Sequence, residues 1–119
     1  MQRNWPLESP ELAKFRGAHV AIDVALLTIA PGPEGAETLA ALAHKRQDGL
    51  AAGQWALVGR MLRERERLAE AVQVALREKA GIADVTPRQL FVLDEPTRDS
   101  RGWVISVAHI ATCKWRDLE

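Results

Sequence analysis

The chain has a single cysteine, Cys113. That excludes an intrachain disulfide framework and a cysteine-based zinc site, and it suits a reducing compartment. Neither sign of charge is in excess: 16 lysines and arginines balance 16 aspartates and glutamates, giving a formal net charge of zero. The balance argues against a protein that coats nucleic acid or an anionic membrane through bulk charge, and leaves room for a local basic patch. The longest apolar run, residues 20–30, is interrupted by Asp23 and Thr28 and is too short to span a bilayer. Residues 1–15 lack the apolar segment and small-residue cleavage site of a secretory signal. A membrane partner is therefore not expected, and the expected location is the cytoplasm. A histidine–cysteine cluster and a G-x-S-x-G element are also missing, so metalloprotease and serine-hydrolase chemistry have no support.

What remains is a globular composition. The chain has 119 residues, 47% hydrophobic and 27% charged, about one ordinary domain with a real core. Its elements alternate as in one α/β unit. Ser9-Pro10-Glu11 predicts a helix start: a serine cap, a proline at the first helical position, then a carboxylate near the positive helix end. The helix is short because Gly17 follows. Residues 20–30 are rich in leucine and β-branched residues and read as a buried strand. Residues 31–35, Pro-Gly-Pro-Glu-Gly, form a turn or loop. Residues 39–46 are ambiguous, since their alanines favour a helix while their short span between glycine-containing loops does not. Residues 47–53 read as a loop. Trp55 to Val58 is a short strand that Gly59 should break.

The clearest helix covers about residues 67–79. Leu68, Ala71, Val72, Ala75 and Leu76 make one apolar stripe, while Glu70, Gln73 and Arg77 point away from it. Gly81 should end the helix in a left-handed cap, with Ile82 packing back. Residues 89–93 and 103–112 read as strands, joined by the polar loop 94–102. The expected organisation is an N-terminal extension, 1–17, carrying the short helix, followed by one domain, 18–119.

Within residues 53–82, the stretch GQWALVGRMLRERERLAEAVQVALREKAGI resembles the signature segment of the Nudix hydrolases. Trp55-Ala56-Leu57 and Gly59 match the strand and turn that usually precede the Nudix box. Glu66 falls on its first glutamate, Leu76 on an aliphatic position, Glu78 on one of its paired glutamates, and Gly81-Ile82 on its ending. The flanks, residues 23–28 and 98–102, resemble the branch related to ADP-ribose pyrophosphatases. Together the resemblance covers roughly residues 18–112. It implies an α/β/α sandwich with a mixed sheet and a loop–helix–loop at 59–82. Domains of this branch usually continue into another helix, so this one is expected to be short at its C-terminus.

The resemblance also implies a carboxylate cluster binding Mg²⁺ or Mn²⁺ beside a diphosphate, a task that needs several oxygen ligands. Here the box departs from its pattern. Arg60 stands for its opening glycine, Val74 for its arginine, Ala75 for the next glutamate, and Lys79 for the second paired glutamate. Glu66 and Glu78 are the box carboxylates that remain, and they are the candidate catalytic and metal-binding residues if the chain is active. An active site would need further carboxylates, such as Glu64 or Glu70. An ammonium beside a divalent-ion site opposes metal binding. Lys79 is then either a solvated residue favoured by the helix dipole or a stand-in for the metal's charge.

The candidate ligand-binding residues are Arg46, Arg60, Arg63, Lys79, Asp99 and Arg101, since guanidinium groups fork onto phosphate oxygens. Between Arg60 and Lys79 there are six cationic and four anionic residues, a local net of +2 within a neutral chain. No aromatic residues interleave with the arginines of this stretch, and nucleic-acid binding by this chain alone is not expected. Trp55 is expected in the core or in a pocket wall, and Trp103 is expected to be exposed. His44 and His109 lie in apolar strands, where a structural hydrogen bond is the ordinary role.

Three functions are compatible with these residues. The first is a domain that binds a nucleotide or nucleotide sugar such as ADP-ribose, with metal-dependent hydrolysis lost or weak, as in Nudix-like sensors of NAD metabolism. The second is an active hydrolase that cleaves a nucleoside diphosphate linked to another group. The third is a structural or partner-binding module that kept only the fold. Dimerisation is common in the branch the chain resembles and is a further expectation.

Overall fold

A computed structural model describes residues 8–46 and 53–118. Most of the loop expected at 47–53 lies outside the described residues. The centre of the molecule is β1, His19–Pro31. Its sequence is almost continuously apolar, yet its burial alternates: Ile22, Val24, Leu26 and Thr28 are buried, while Ala21, Asp23, Ala25 and Leu27 are half-buried. A strand sends alternate side chains to opposite faces, and only one face of this strand meets the core.

β1 is paired along both edges. On one side lies β6, Val104–Thr112, parallel to it from His19↔Val104 to Leu27↔Thr112. Two antiparallel strands share the other pairings. β4, Trp55–Met61, pairs with residues 21–24, and β2, Glu37–Ala41, pairs with residues 27–31. β3, Ala43–Lys45, continues from β2 onto β4, and β5, Arg88–Leu93, closes the far edge against β6. The sheet is therefore mixed, in the order β3-β4-β1-β6-β5 with β2 beside β1. The ambiguous stretch 39–46 is strand on either side of Leu42, whose N–H donates to the Leu26 carbonyl at 2.9 Å. Pairing with β1 and β4 overrides the local helix preference of its alanines.

Gly59 does not break β4, as the sequence suggested; the strand runs through it to Met61. A side chain at this position would place its Cβ 2.5 Å from Asp23 Oδ1 and 2.6 Å from the Ile22 carbonyl oxygen. The glycine allows β4 and β1 to approach here, which is a packing role and not a stop signal.

The long helix, α2, spans Leu68–Ala80. At its start the Arg67 N–H donates to Glu70 Oε1 at 3.3 Å. At its end Gly81 has φ of 65°, and the Ile82 N–H donates back to the Leu76 carbonyl at 3.1 Å, the left-handed cap that the sequence predicts. Ala71, Val72, Ala75 and Leu76 bury against Ile22, Val24, Leu26 and Val58, with Ile82 beside them. Each large aliphatic side chain in such a cluster contributes about 1.5–3 kcal/mol through burial. The short N-terminal helix, α1, Pro10–Ala13, buries nothing; Ser9 Oγ caps it by accepting from the Leu12 N–H at 3.4 Å.

The mixed sheet and the loop–helix–loop are those the sequence implied. On the sheet face away from the core, Ala25 and Leu27 stay half-buried, and Ile29 and its partner Leu39 are exposed. Trp55, expected in the core or in a pocket wall, is 70% exposed. Among the described residues, no helix is long and apolar enough to cross a membrane.

Candidate functional site

A cavity of about 750 Å³ opens where β1, β4 and the end of α2 meet. Its charged lining is mostly cationic: Lys45, Arg46, Arg60, Lys79, Arg98 and Arg101, against Asp23 and Asp99. The close approach at Gly59 brings the floor together, and the polar loop after β5 supplies one wall.

Lys79 reaches from the last turn of α2 to donate its Nζ to the Gly59 carbonyl. The residue as a whole is exposed, but partial desolvation beside the cavity lowers its pKa below the ordinary lysine value, and the nearby positive charges of Arg46 and Arg60 lower it further. Asp23 and Glu78 act in the opposite direction and do not cancel the effect. With six lysine and arginine side chains against two carboxylates in its lining, the cavity holds more positive charge than its own anions neutralise, and an anion placed there would relieve the repulsion.

Arg60, in the same lining, is also paired with Glu66. Its Nη1 lies 3.1 Å from Glu66 Oε2, and the two side chains are only 9% and 15% exposed. The other Glu66 oxygen accepts the Arg63 backbone N–H at 3.0 Å. Both oxygens of Glu66 thus have donors, and this carboxylate closes the loop ahead of α2. Arg60 Nη2 is buried and has no hydrogen-bond partner among the described residues.

Asp99 and Arg101 form a second closed pair. Asp99 Oδ1 accepts from the Arg101 backbone N–H and from Nε, each at 2.9 Å, and Oδ2 accepts from Nη2 at 2.7 Å. These bonds hold the Asp99 carboxyl well below the usual carboxylate range. Beside it, Arg98 Nη1 donates to the Val104 carbonyl at 3.3 Å.

Of the residues singled out from sequence, Arg46, Arg60, Lys79, Asp99 and Arg101 line this cavity. Arg63 does not; it is exposed, and its backbone N–H serves Glu66. Glu66 and Glu78 are not in the lining either, and Glu78 is exposed. His44 is in the lining, whereas His109 is buried elsewhere, with Nδ1 2.9 Å from the Val107 carbonyl oxygen. Besides Arg98, Asp23 is a functional candidate that sequence reasoning missed. It reads there as an interruption of an apolar run, but a carboxylate in the middle of a central strand is itself a signal. In the structure it accepts a hydrogen bond from the Ser106 hydroxyl and lines the cavity floor.

These residues do not fit a divalent metal. Mg²⁺ and Mn²⁺ need several converging oxygens. Glu66 is taken by Arg60 and Arg63, Ala75 is wholly buried in the core, and Lys79 stands at the cavity. Among the described residues, no three potential metal-ligating side chains come together.

No protein-family model and no curated protein matches the sequence. Solved structures do. A MutT/Nudix family protein from Listeria innocua is 29% identical, with a TM-score of 0.76 over 86% of this chain and 69% of that one. The chain has the Nudix fold. A MutT/Nudix family protein from Enterococcus faecalis is 26% identical, with a TM-score of 0.74 over 88% of this chain and 39% of that one. The Nudix domain of NrtR from Shewanella oneidensis, solved with ADP-ribose, is 25% identical, with a TM-score of 0.74 over 92% of this chain and 68% of that one. The chain thus spans between 39% and 69% of the length of these Nudix neighbours.

Proposed function

We propose that this Nudix-fold chain binds a nucleoside diphosphate derivative of the ADP-ribose type, and that it does so without a divalent metal. The observation that carries the reading is Lys79. Its ammonium is anchored on the Gly59 carbonyl at the cavity wall, in repulsion with Arg46 and Arg60. A diphosphate brings the negative charge that would satisfy this arrangement. The cation thus does electrostatically what a bound metal does in a metal-dependent site, while supplying neither a Lewis acid nor an activated water. Binding is the consequence, and hydrolysis is lost or weak. The likeness to a Nudix domain solved with ADP-ribose supports the ligand class.

The test is a thermal melt with ADP-ribose in EDTA, and again in Mg²⁺ or Mn²⁺, alongside an assay for cleaved product. A ligand at about 100 times its Kd stabilises a fold by about 2.7 kcal/mol, which a melt resolves. Equal stabilisation with and without metal, and no product, is the expected result. Stabilisation that disappears in EDTA, or metal-dependent product that Glu78→Ala abolishes, would establish the hydrolase instead. No response to any nucleotide would leave a module that kept only the fold.

A further inference from the structure

We propose that Asp23 reads the sugar of the bound molecule: its carboxylate accepts hydrogen bonds from ribosyl hydroxyls while the cations hold the phosphates. The proposal rests on the nucleotide-binding reading above and specifies it. A carboxylate half-buried among apolar strand residues is costly unless donors surround it. Asp23 sits opposite Gly59 of β4 on one side and Ala108 of β6 on the other, neighbours whose side chains offer no donor. Ser106 supplies one hydroxyl, to Oδ2. An ionised carboxylate has about four acceptor positions, so capacity remains on the face that lines the cavity.

The surroundings define what fills that capacity. The rest of the floor and rim is dominated by cations, and Asp23 lies close enough to Lys79 to favour its charged form. A phosphate oxygen directly over Asp23 would meet like charge. The part of the ligand above Asp23 must therefore donate hydrogen bonds, while its anionic part lies toward Arg46 and Lys79. A sugar joined to a diphosphate has that order of groups; bare diphosphate does not. Asp23 accordingly repels the smaller anion and retains the larger one, a way to gain selectivity by penalising the wrong ligand.

Calorimetric titration of the whole chain in EDTA tests this, with ADP-ribose, inorganic pyrophosphate, and analogues of ADP-ribose lacking the 2- and 3-hydroxyls of either ribose. Asp23→Asn keeps an acceptor for Ser106 and removes the charge. The variant should bind pyrophosphate about 3-fold or more tightly than the parent and ADP-ribose about 5-fold or more weakly. The parent should lose a similar factor for one deoxy analogue, and the variant should be indifferent to that change. The ligand-side comparison in the parent keeps the test decisive should the variant not fold. Parallel shifts for both ligands, or none, or a parent blind to both diols, would overturn the role of Asp23 while leaving nucleotide binding intact. A parent that binds neither ADP-ribose nor pyrophosphate would overturn the reading of the cavity itself, and this proposal with it.

Discussion

The Arg60 guanidinium lies 3.1 Å from the Glu66 carboxylate, with both side chains largely shut away from water. Breaking a buried pair from one side strands the other charge, which costs about 3–5 kcal/mol. Glu66→Ala should therefore lower Tm by roughly 10 °C or more. Replacing both partners with Arg60→Met and Glu66→Leu should recover most of the loss. A double-mutant cycle on thermal melts measures it, and a cycle with no coupling would refute the pair's importance.

Lys79 carries a pH signature. Its folded-state pKa is depressed, so between that value and the ordinary lysine value the unfolded chain holds more protons than the folded one. Stability should rise with pH across this alkaline window. Anion binding should weaken across the same window as the ammonium loses its proton. Lys79→Met should abolish the alkaline rise in melts and flatten the pH dependence of ADP-ribose affinity; an unchanged rise would assign it to another group.

Gly59 should not tolerate even one methyl group. The Cβ of Gly59→Ala would meet Asp23 Oδ1 at 2.5 Å and backbone oxygen at 2.6 Å. We expect a loss of about 1–3 kcal/mol from the overpacking, read in urea melts, together with weaker ligand binding as Asp23 is displaced. A variant as stable as the parent would contradict the close approach of the strands.

Two reversions toward the Nudix box should behave differently. Ala75 is fully buried, so Ala75→Glu places a carboxylate in the core without a partner, at a cost of several kcal/mol. Lys79→Glu lies at an exposed position and should fold. Soluble yield and melts of the two variants make the comparison. A well-folded Ala75→Glu that binds Mn²⁺ would show the scaffold still prepared for metal.

The contrast between these variants marks how far the sequence could be read. The stripe from Leu68 to Leu76 carries a helical period, Gly81 a local cap signal and the apolar run of β1 a strand signal, and the structure follows all three, although the run does not show that only one face of β1 is buried. Gly59 misleads in the sequence because its meaning is tertiary: the approach of Asp23 and Ile22 decides it, and neither is near in sequence. Residues 39–46 are ambiguous in sequence for the same reason, since strand pairing outweighs the preference of alanine. At the site, Arg60 and Lys79 are legible because they stand at positions of the Nudix box that the sequence resembles. The pairing of Arg60 with Glu66 and the contact of Asp23 with Ser106 join residues that only the folded sheet brings together. Arg63 was singled out by its charge, but its backbone does the work.

The pairing of β1 along both edges also sets the order in which the molecule opens. Its amides are flanked by β6 on one side and by β4 and β2 on the other, while β5 is paired on one side only. Among the strands, deuterium should therefore enter β2, β3 and β5, each paired on one side only, before it enters β1, because protection grows with what must come apart before an amide meets water. Since Asp23 lies in β1 and Gly59 in β4, a ligand in the cavity would slow exchange most where the protein is already slowest. Nucleotide binding would then register as a change in global unfolding more than as the quieting of a loose rim.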